Sequence, residues 1–378
     1  METGDDILAI EEDEISSGKN AKKLFKKIFW FVLRIGLAAV IIGWLVSRNF
    51  DKFVQSLADF NYYWLIPACL CYFLHMLVCS WRWYKLAKVL DIQITLFDAF
   101  SLTMKSYFFS LVIPGGAIGG DLAKIGFLAS RTPKGTKVEG AFTILMDRIV
   151  GMVALFSTAI VIILFTLPTL MSIDLTVLGL QTKMMHVAVI AGLLGMCAFG
   201  LIAMFAIFYH KTLEKFKPVG SLMKMGDRYT NSAVSRMTAA TDIYRNQLKL
   251  FTEMTIASIF LVHLNMVVVV FFIMKGLGIG NVHLITVTSA VIIGNIAGLI
   301  PLTVSGVGLR DVAIATVLYA GGVDNATTIP IIFTALILAF NILSGLFFVF
   351  DNDKKKKAGS QETKCGSQES GVRSQNKS

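Results

Sequence analysis

The sequence predicts an all-α polytopic membrane protein, with six full spans plus two opposed re-entrant helical hairpins in an inverted repeat. Three observations lead there. The 378 residues are 55% hydrophobic and only 16% charged, whereas soluble domains carry roughly 25% charged residues. The net charge of +10 collects in alternate loops, as the positive-inside rule requires, and forms no basic–aromatic patch suited to nucleic acid. Two long apolar stretches are interrupted in the same way, by PGGAIGGDLAK at 114–124 and PLTVSGVGLRD at 301–311.

Residues 1–27 are polar and charged, acidic at first, and are expected to be a disordered cytoplasmic segment. They end in Lys19, Lys22, Lys23, Lys26 and Lys27, which hold the N-terminus on the cytoplasmic side of a first span over residues 28–46. That run is too long for the apolar region of a signal peptide and reads as an uncleaved span. A second span is predicted over residues 63–80, with Trp64, Trp81 and Trp83 at its interfaces and Arg82, Lys85 and Lys88 in the loop beyond.

Residues 97–113 are almost long enough to cross. A crossing there would strand Lys124, Arg131, Lys134 and Lys137 outside. A turn at Pro114, Gly115 and Gly116 keeps all four in the cytoplasm, so a hairpin entering from that side is predicted. A third span follows at 142–167 and a fourth at 185–209. The next loop carries eight bases, among them Arg228, Arg236 and Arg245. Within it, apolar residues at steps of three or four predict an amphipathic helix over 216–251 on the cytoplasmic membrane surface. A fifth span is expected at 254–274.

Both flanks of residues 284–320 lack the basic residues of a cytoplasmic loop, which predicts a second hairpin entering from outside. The last span, 329–350, ends at Lys354–Lys357 and a polar tail, 351–378, expected to be disordered and cytoplasmic. The membrane domain therefore runs over 28–350, with halves 28–168 and 185–350 in opposite orientation. Two Gly/Pro-interrupted apolar segments at corresponding places in two halves point to the substrate site of a secondary transporter.

The candidate site residues follow from the breaks. Pro removes a donor and breaks a helix, and Gly115, Gly116, Gly119, Gly120, Gly306 and Gly308 supply turns and close helix approach around Pro114 and Pro301. A new helix starting after each break offers free N–H groups and a positive dipole end to an anion. Lys124 and Arg310 lie in the first turns of those helices, with Arg148 near a span entrance. Together they are the candidate cations for an anionic headgroup, and Thr303 and Ser305 are candidate hydrogen-bonding partners. Asp121, Asp147 and Asp311 either share that site or pair with the cations and lock the halves together. Lys105 is a candidate partner for Asp98 or Asp121, and His263 with Asn265 is the one pair suited to proton coupling.

The five cysteines, Cys69, Cys71, Cys79, Cys197 and Cys365, show no C-x-x-C spacing, and the five histidines show no H-x-x-x-H. No metal site or cofactor is expected. The interior acids Asp121, Asp147 and Asp311 each lie beside a base and form no D-x-D, a pattern that favours binding over catalysis.

PGGxxGGDLAK at 114–124, DRxxG at 147–151 and PxTxSGxGxRD at 301–311, in that order, resemble the motifs of the lysylphosphatidylglycerol synthetase transmembrane family, also called flippase-like membrane proteins. The resemblance covers about residues 25–350. It implies an inner-membrane protein handling anionic or polyprenyl-linked lipids between leaflets, with the lipid and the bilayer as partners. The sequence departs from the family pattern at Lys124 (usually arginine), Ser305 (often glycine) and Asp311 (usually glutamate). The soluble aminoacyl-transferase domain has no counterpart, so lysyl transfer is not expected. The alternatives are a membrane subunit of a lipid-linked glycosyl-transfer or lipid-modifying enzyme, or an accessory scaffold. The basic 216–251 helix would then serve docking to a membrane-enzyme partner, and a homo-oligomer is a further alternative.

Overall fold

A computed structural model describes residues 54–55, 58–113, 116–132, 136–172, 183–209, 211, 225, 233–280, 282–300, 307–323 and 326–350. The predicted first span, both termini, most of the basic loop, and Pro114, Gly115, Pro301, Thr303, Ser305 and Gly306 lie outside the described residues. Among those described, regular structure is helical and no strand occurs.

The helices are α1 (Leu65–Val89, entered through a 3-10 turn at Tyr62–Trp64), α2 (Leu96–Val112), α3 (Ala117–Ala129), α4 (Lys137–Phe165), α5 (Leu167–Ser172) and α6 (Lys183–Phe208). They continue with α7 (Ala233–Arg245), α8 (Leu248–Gly276), α9 (Leu284–Ala297), α10 (Leu309–Ala320) and α11 (Thr328–Leu343), which runs on past a turn to Phe350. Among the described residues, five are long and apolar enough to cross a membrane: Tyr62–Val89, α4, α6 over Val187–Phe208, α8 and Thr328–Phe350.

Two boundaries differ from the sequence reading. The second span does not stop at Ser80. No proline or glycine interrupts residues 81–89, so the helix continues to Val89 and carries Arg82 and Trp83 inside the protein. The stretch 216–251 is not one helix in its described part: α7 ends at Arg245, a turn follows at Asn246–Gln247, and Leu248 already begins α8. Helix α7 is nonetheless a packed element. Tyr244 is buried and donates to the Leu86 carbonyl at 2.7 Å, and burial pushes its phenol above the usual value. Arg236 grips Glu139 of α4 through two nitrogens.

Helices α2 and α3 form an antiparallel hairpin, as their contacts show. A Cβ on Gly119 would lie 2.8 Å from the Ile113 carbonyl oxygen, and one on Gly120 would lie 2.3 Å from that of Ser106. Further from the turn, Lys124 reaches Thr103 and Arg131 reaches Asp98, both at 3.1 Å. Partners thus diverge symmetrically from the connection. Helices α9 and α10 repeat the pattern, with Gly298 against Arg310, Gly294 against Ile314 and Thr286 against Gly321. In each hairpin the second helix starts on a glycine of positive φ: Gly116 (58°) before α3 and Gly308 (95°) before α10. A side chain would make that backbone costly.

Helix packing follows a two-fold plan. Helix α1 packs on α8 at the centre. Each hairpin's first helix lies beside the long helix before it (α1 with α2, α8 with α9), and its second beside the long helix after it (α3 with α4, α10 with α11). The first hairpin helices also cross over: α9 rests on α4 and α2 rests on α11. Exchanging α1–α4 for α8–α11 maps these contacts onto one another. The largest core cluster lies at this junction and includes Tyr72, Met76, Val270, Ala290, Ile314 and Phe333. Helix α6 is peripheral, with Phe199, Ile202 and Phe205 exposed, an apolar surface suited to lipid.

Candidate functional site

Of the charges predicted for the site, Asp147 is met by a residue that the sequence reading left in a loop. Arg82 of α1 is buried and its Nε donates to Asp147 Oδ1 at 2.7 Å, while Nη1 donates to Ser258 Oγ of α8 at 2.9 Å. A Cβ on Gly151 would stand 3.3 Å from Nη1. The DRxxG motif therefore has a local explanation: Asp147 supplies the counter-charge, and the glycine one turn later leaves space for the guanidinium. Arg148 turns to the other side and grips Asp121 of α3 with Nε and Nη2, at 2.6 and 2.7 Å. Each member of the adjacent Asp147–Arg148 pair thus holds a different helix.

Lys124 lies beside these pairs on α3 and is 4% exposed. Its Nζ donates to Thr103 Oγ1 at 3.1 Å and sits 3.6 Å from the centre of the Trp83 ring. Trp83 is fully buried and is held by its Nε1–H donating to Thr143 Oγ1 at 3.1 Å. No carboxylate among the described residues lies within ion-pair distance of Lys124. Lys105, fully buried on α2, lies over the Phe127 ring at 5.1 Å. Its expected partner Asp98 instead caps α2 at Thr95 and pairs with Arg131.

Arg310 and Asp311 form a separate group at the start of α10. Asp311 is fully buried; its Oδ2 accepts the Gly308 N–H at 2.9 Å, which caps the helix, and its Oδ1 accepts the Thr334 hydroxyl at 2.6 Å. Arg310 Nη2 donates to the same Thr334 oxygen, Nε stands 3.5 Å from Asp311 Oδ1, and the guanidinium lies over Phe333 at 5.2 Å. Of the acids proposed for Arg310, Asp311 is the one it meets. Asp121 and Asp147 are taken by Arg148 and Arg82.

One face of α1 runs between the two groups. Tyr72, His75, Cys79, Arg82 and Trp83 recur at steps of three, four, three and one, which places them on one side of the helix. Tyr72 stacks on His75 with centroids 5.5 Å apart. His75 Nε2 lies 3.8 Å from Cys79 Sγ and 3.5 Å from the Tyr107 hydroxyl. That spacing was present in the sequence and is the signal that would have found Arg82. His263 and Asn265 are separately engaged: His263 Nε2 is 3.1 Å from the Gly151 carbonyl, and Asn265 donates to that of Cys71 at 2.7 Å. Six residues of α8, Ile259–Leu264, wind as π-helix immediately before Asn265, an irregularity frequent at functional sites. No group of three metal-ligating side chains occurs among the described residues.

A sequence profile described as the lysylphosphatidylglycerol synthase TM region matches residues 31–346. The chain belongs to that family. Its match spans all three motifs, so the Arg82–Asp147 pair, the Arg148–Asp121 clamp and the Arg310–Asp311–Thr334 group are all parts of a lysylphosphatidylglycerol synthase TM region. Membership supports a multi-pass membrane protein related to lipid modification or transport. No curated protein and no solved structure matches the chain.

Proposed function

We propose that this protein moves an anionic lipid, a phospholipid or a polyprenyl-phosphate-linked lipid, between the leaflets of the cell's inner membrane, with the headgroup phosphate held by Lys124. The observation that carries the reading is that Lys124 is buried beside a hydroxyl and an aromatic ring, with the neighbouring acids committed to Arg82 and Arg148. A buried cation without a paired acid is costly, and a phosphate oxygen beside Thr103 would offset that cost. In the first charge group, Arg82, Arg148 and Lys124 face Asp121 and Asp147, an excess of one positive charge.

The topology proposed with it is six spans, the first over residues 28–46, with both termini cytoplasmic and both hairpins re-entrant. Helices α2, α3, α9 and α10 have 17, 13, 14 and 12 residues, or about 18–26 Å each at 1.5 Å per residue. All are shorter than the roughly 30 Å hydrocarbon core. Irregular backbone at that depth is tolerated where protein surrounds it, and the packing of each hairpin on both halves is consistent with that. We read the chain as a transporter and not an enzyme, because its interior acids are engaged as counter-ions.

The test is leaflet-resolved movement of tail-labelled lipids in proteoliposomes, comparing wild type with Lys124→Ala, Lys124→Arg and Arg310→Ala. Movement of at least one anionic lipid, lost in Lys124→Ala and retained in Lys124→Arg, is the expected result. No movement of phosphatidylglycerol, phosphatidate or a polyprenyl phosphate by well-folded wild type would overturn the reading.

A further inference from the structure

The two-fold plan leaves one described membrane helix without a counterpart. Exchanging α1–α4 for α8–α11 accounts for four long helices and both hairpins, and α6 stands outside the exchange. Helix α6 precedes α8 in the chain yet packs along α4, the long helix that closes the first half. Cys197 and Leu201 of α6 join Phe156 and Ala159 of α4 and Ile292 of α9 in one cluster. A Cβ on Gly200 would lie 2.4 Å from the Phe156 ring. The same exchange turns this arrangement into a place beside α11 for a helix that precedes α1.

The surfaces of α4 and α11 differ as that place requires. Each is crossed by the first helix of a hairpin: Ile292 of α9 shares a cluster with Phe156 of α4, and Phe100 of α2 meets Phe347 of α11 with centroids 5.3 Å apart. Around its crossing α4 is closed, and no residue from Met152 to Ile160 is exposed. Around the other, Ile342, Leu343, Leu346, Val349 and Phe350 of α11 are 51–64% exposed. The open stripe continues through Ala339 and Ala335, which steps of three and four join to Ile342 and Leu346 on one face. Helix α6 closes α4, and among the described residues nothing does the same for α11.

We infer that residues 28–46 cover this face, packed antiparallel along α11. The inference gives a place to the first span of the topology proposed above and is independent of which lipid moves. The family match runs over 31–346, so that span and α11 belong to one domain. The linker is long enough. Phe60 meets Gly276 at the C-terminal end of α8, and α8 packs on α11. The span and the start of α1 are then two or three interaxial distances apart, about 20–30 Å. Residues 47–59 reach about 30 Å even with the turn that bonds Asp59 to Gln55. The side chains are complementary in step: Val32, Gly36, Ala39 and Gly43 recur at four, three and four, and in antiparallel register they face Leu346, Ile342, Ala339 and Ala335. Small residues let membrane helices approach closely. The register also sets Lys27 and Arg34 at the end where Asp351 and Asp353 follow α11, opposite in sign.

The experiment uses the full chain in native membranes, with a protease site between residues 173 and 182 and the pair Ala39→Cys/Ala339→Cys or Gly36→Cys/Ile342→Cys. After copper-phenanthroline oxidation and cleavage, the two fragments are expected to stay joined at monomer mass on a non-reducing gel. The yield is expected to be about tenfold above that of Leu37→Cys/Ala339→Cys, whose first member points to the opposite face, because a disulfide needs Cα atoms within about 7 Å. Single-cysteine variants correct for the native thiols. Packing gives a second readout. Gly36→Leu is expected to lower the thermal midpoint in detergent by about 5 °C. Gly192→Leu on α6, where a Cβ would meet nothing within 4 Å, is expected to move it by less than about 1 °C. A product of twice the monomer mass before cleavage would put a second copy on α11 and overturn the inference. So would fragments that separate while an impermeant maleimide reaches Ser47→Cys from outside, a result that leaves the six-span topology standing with α11 facing lipid. Labelling of Ser47→Cys from the cytoplasmic side would remove the first span itself, and the topology and the inference would fall together.

Discussion

In the first hairpin, the helix after the turn sends Asp121 to Arg148 on α4 and Lys124 to Trp83 on α1. In the second, Arg310 and Asp311 close on each other and on one hydroxyl of α11. Both hairpins start their second helix on a glycine of positive φ, yet the same backbone carries two electrostatic designs. One spreads charge over three helices and leaves a cation unmatched. The other is a compact, nearly neutral cap. Under the phosphate reading proposed above the two do different work: the first would attract an anion, whereas the second caps α10 and ties its start to α11 through Thr334.

Breaking the spread network has the largest expected effect. Arg82→Ala leaves Asp147 buried without its guanidinium, so a loss of about 3–5 kcal/mol is expected. It would be read as a fall in thermal midpoint in detergent or failure to accumulate, with the Arg82→Met/Asp147→Leu double variant recovering much of it. Next come the close approaches. In the first hairpin an added methyl at Gly120 meets backbone, 2.3 Å from the Ser106 carbonyl. At Gly294 in the second it meets the Ile314 side chain at 2.4 Å. Side chains yield more readily than backbone, so Gly120→Ala is expected to cost about 1–3 kcal/mol and Gly294→Ala less. Equal unfolding shifts for the two would contradict this asymmetry.

Thr334→Val removes the hydroxyl shared by Arg310 and Asp311 without changing shape, and a loss of about 1–3 kcal/mol is expected, measured by the same unfolding assay. The smallest effect on stability belongs to Lys124→Met. With no acid to strand, it is expected to change the midpoint by less than about 1 kcal/mol or to raise it, while lipid movement is lost. A large destabilisation there would make Lys124 a structural residue and erase the contrast between the hairpins.

What could be read from sequence follows the range of the interactions. Helix breaks are local, set by glycine and proline within a few residues, and α3 begins at Ala117 as the PGG break implies. The long helices after the first span were likewise visible as apolar runs. Charge partners are not local. Arg82 meets Asp147 sixty-five residues on and Ser258 one hundred and seventy-six on, and nothing near Arg82 announces either. Trp81, Arg82 and Trp83 imitated the aromatic and basic edge of a span, because the same residue types that sit at an interface also pack around a buried ion pair. The Asp147–Arg148 doublet does not announce its partners either: neighbours on a helix point about 100° apart, so each serves a different helix.

The crossed packing of the hairpins has a consequence for biogenesis. Helix α2 rests on α11, so a hairpin finished at Ala129 waits for a partner that ends at Leu343. At 5–20 residues per second the ribosome delivers that partner roughly 10–50 s later. For the part of that interval between residues 147 and 258, Asp147 has Arg82, but the serine that completes the arginine's hydrogen bonding has not yet been made. The nascent first half must therefore persist in the membrane as an unfinished shell, which makes it the stage most exposed to quality-control proteases.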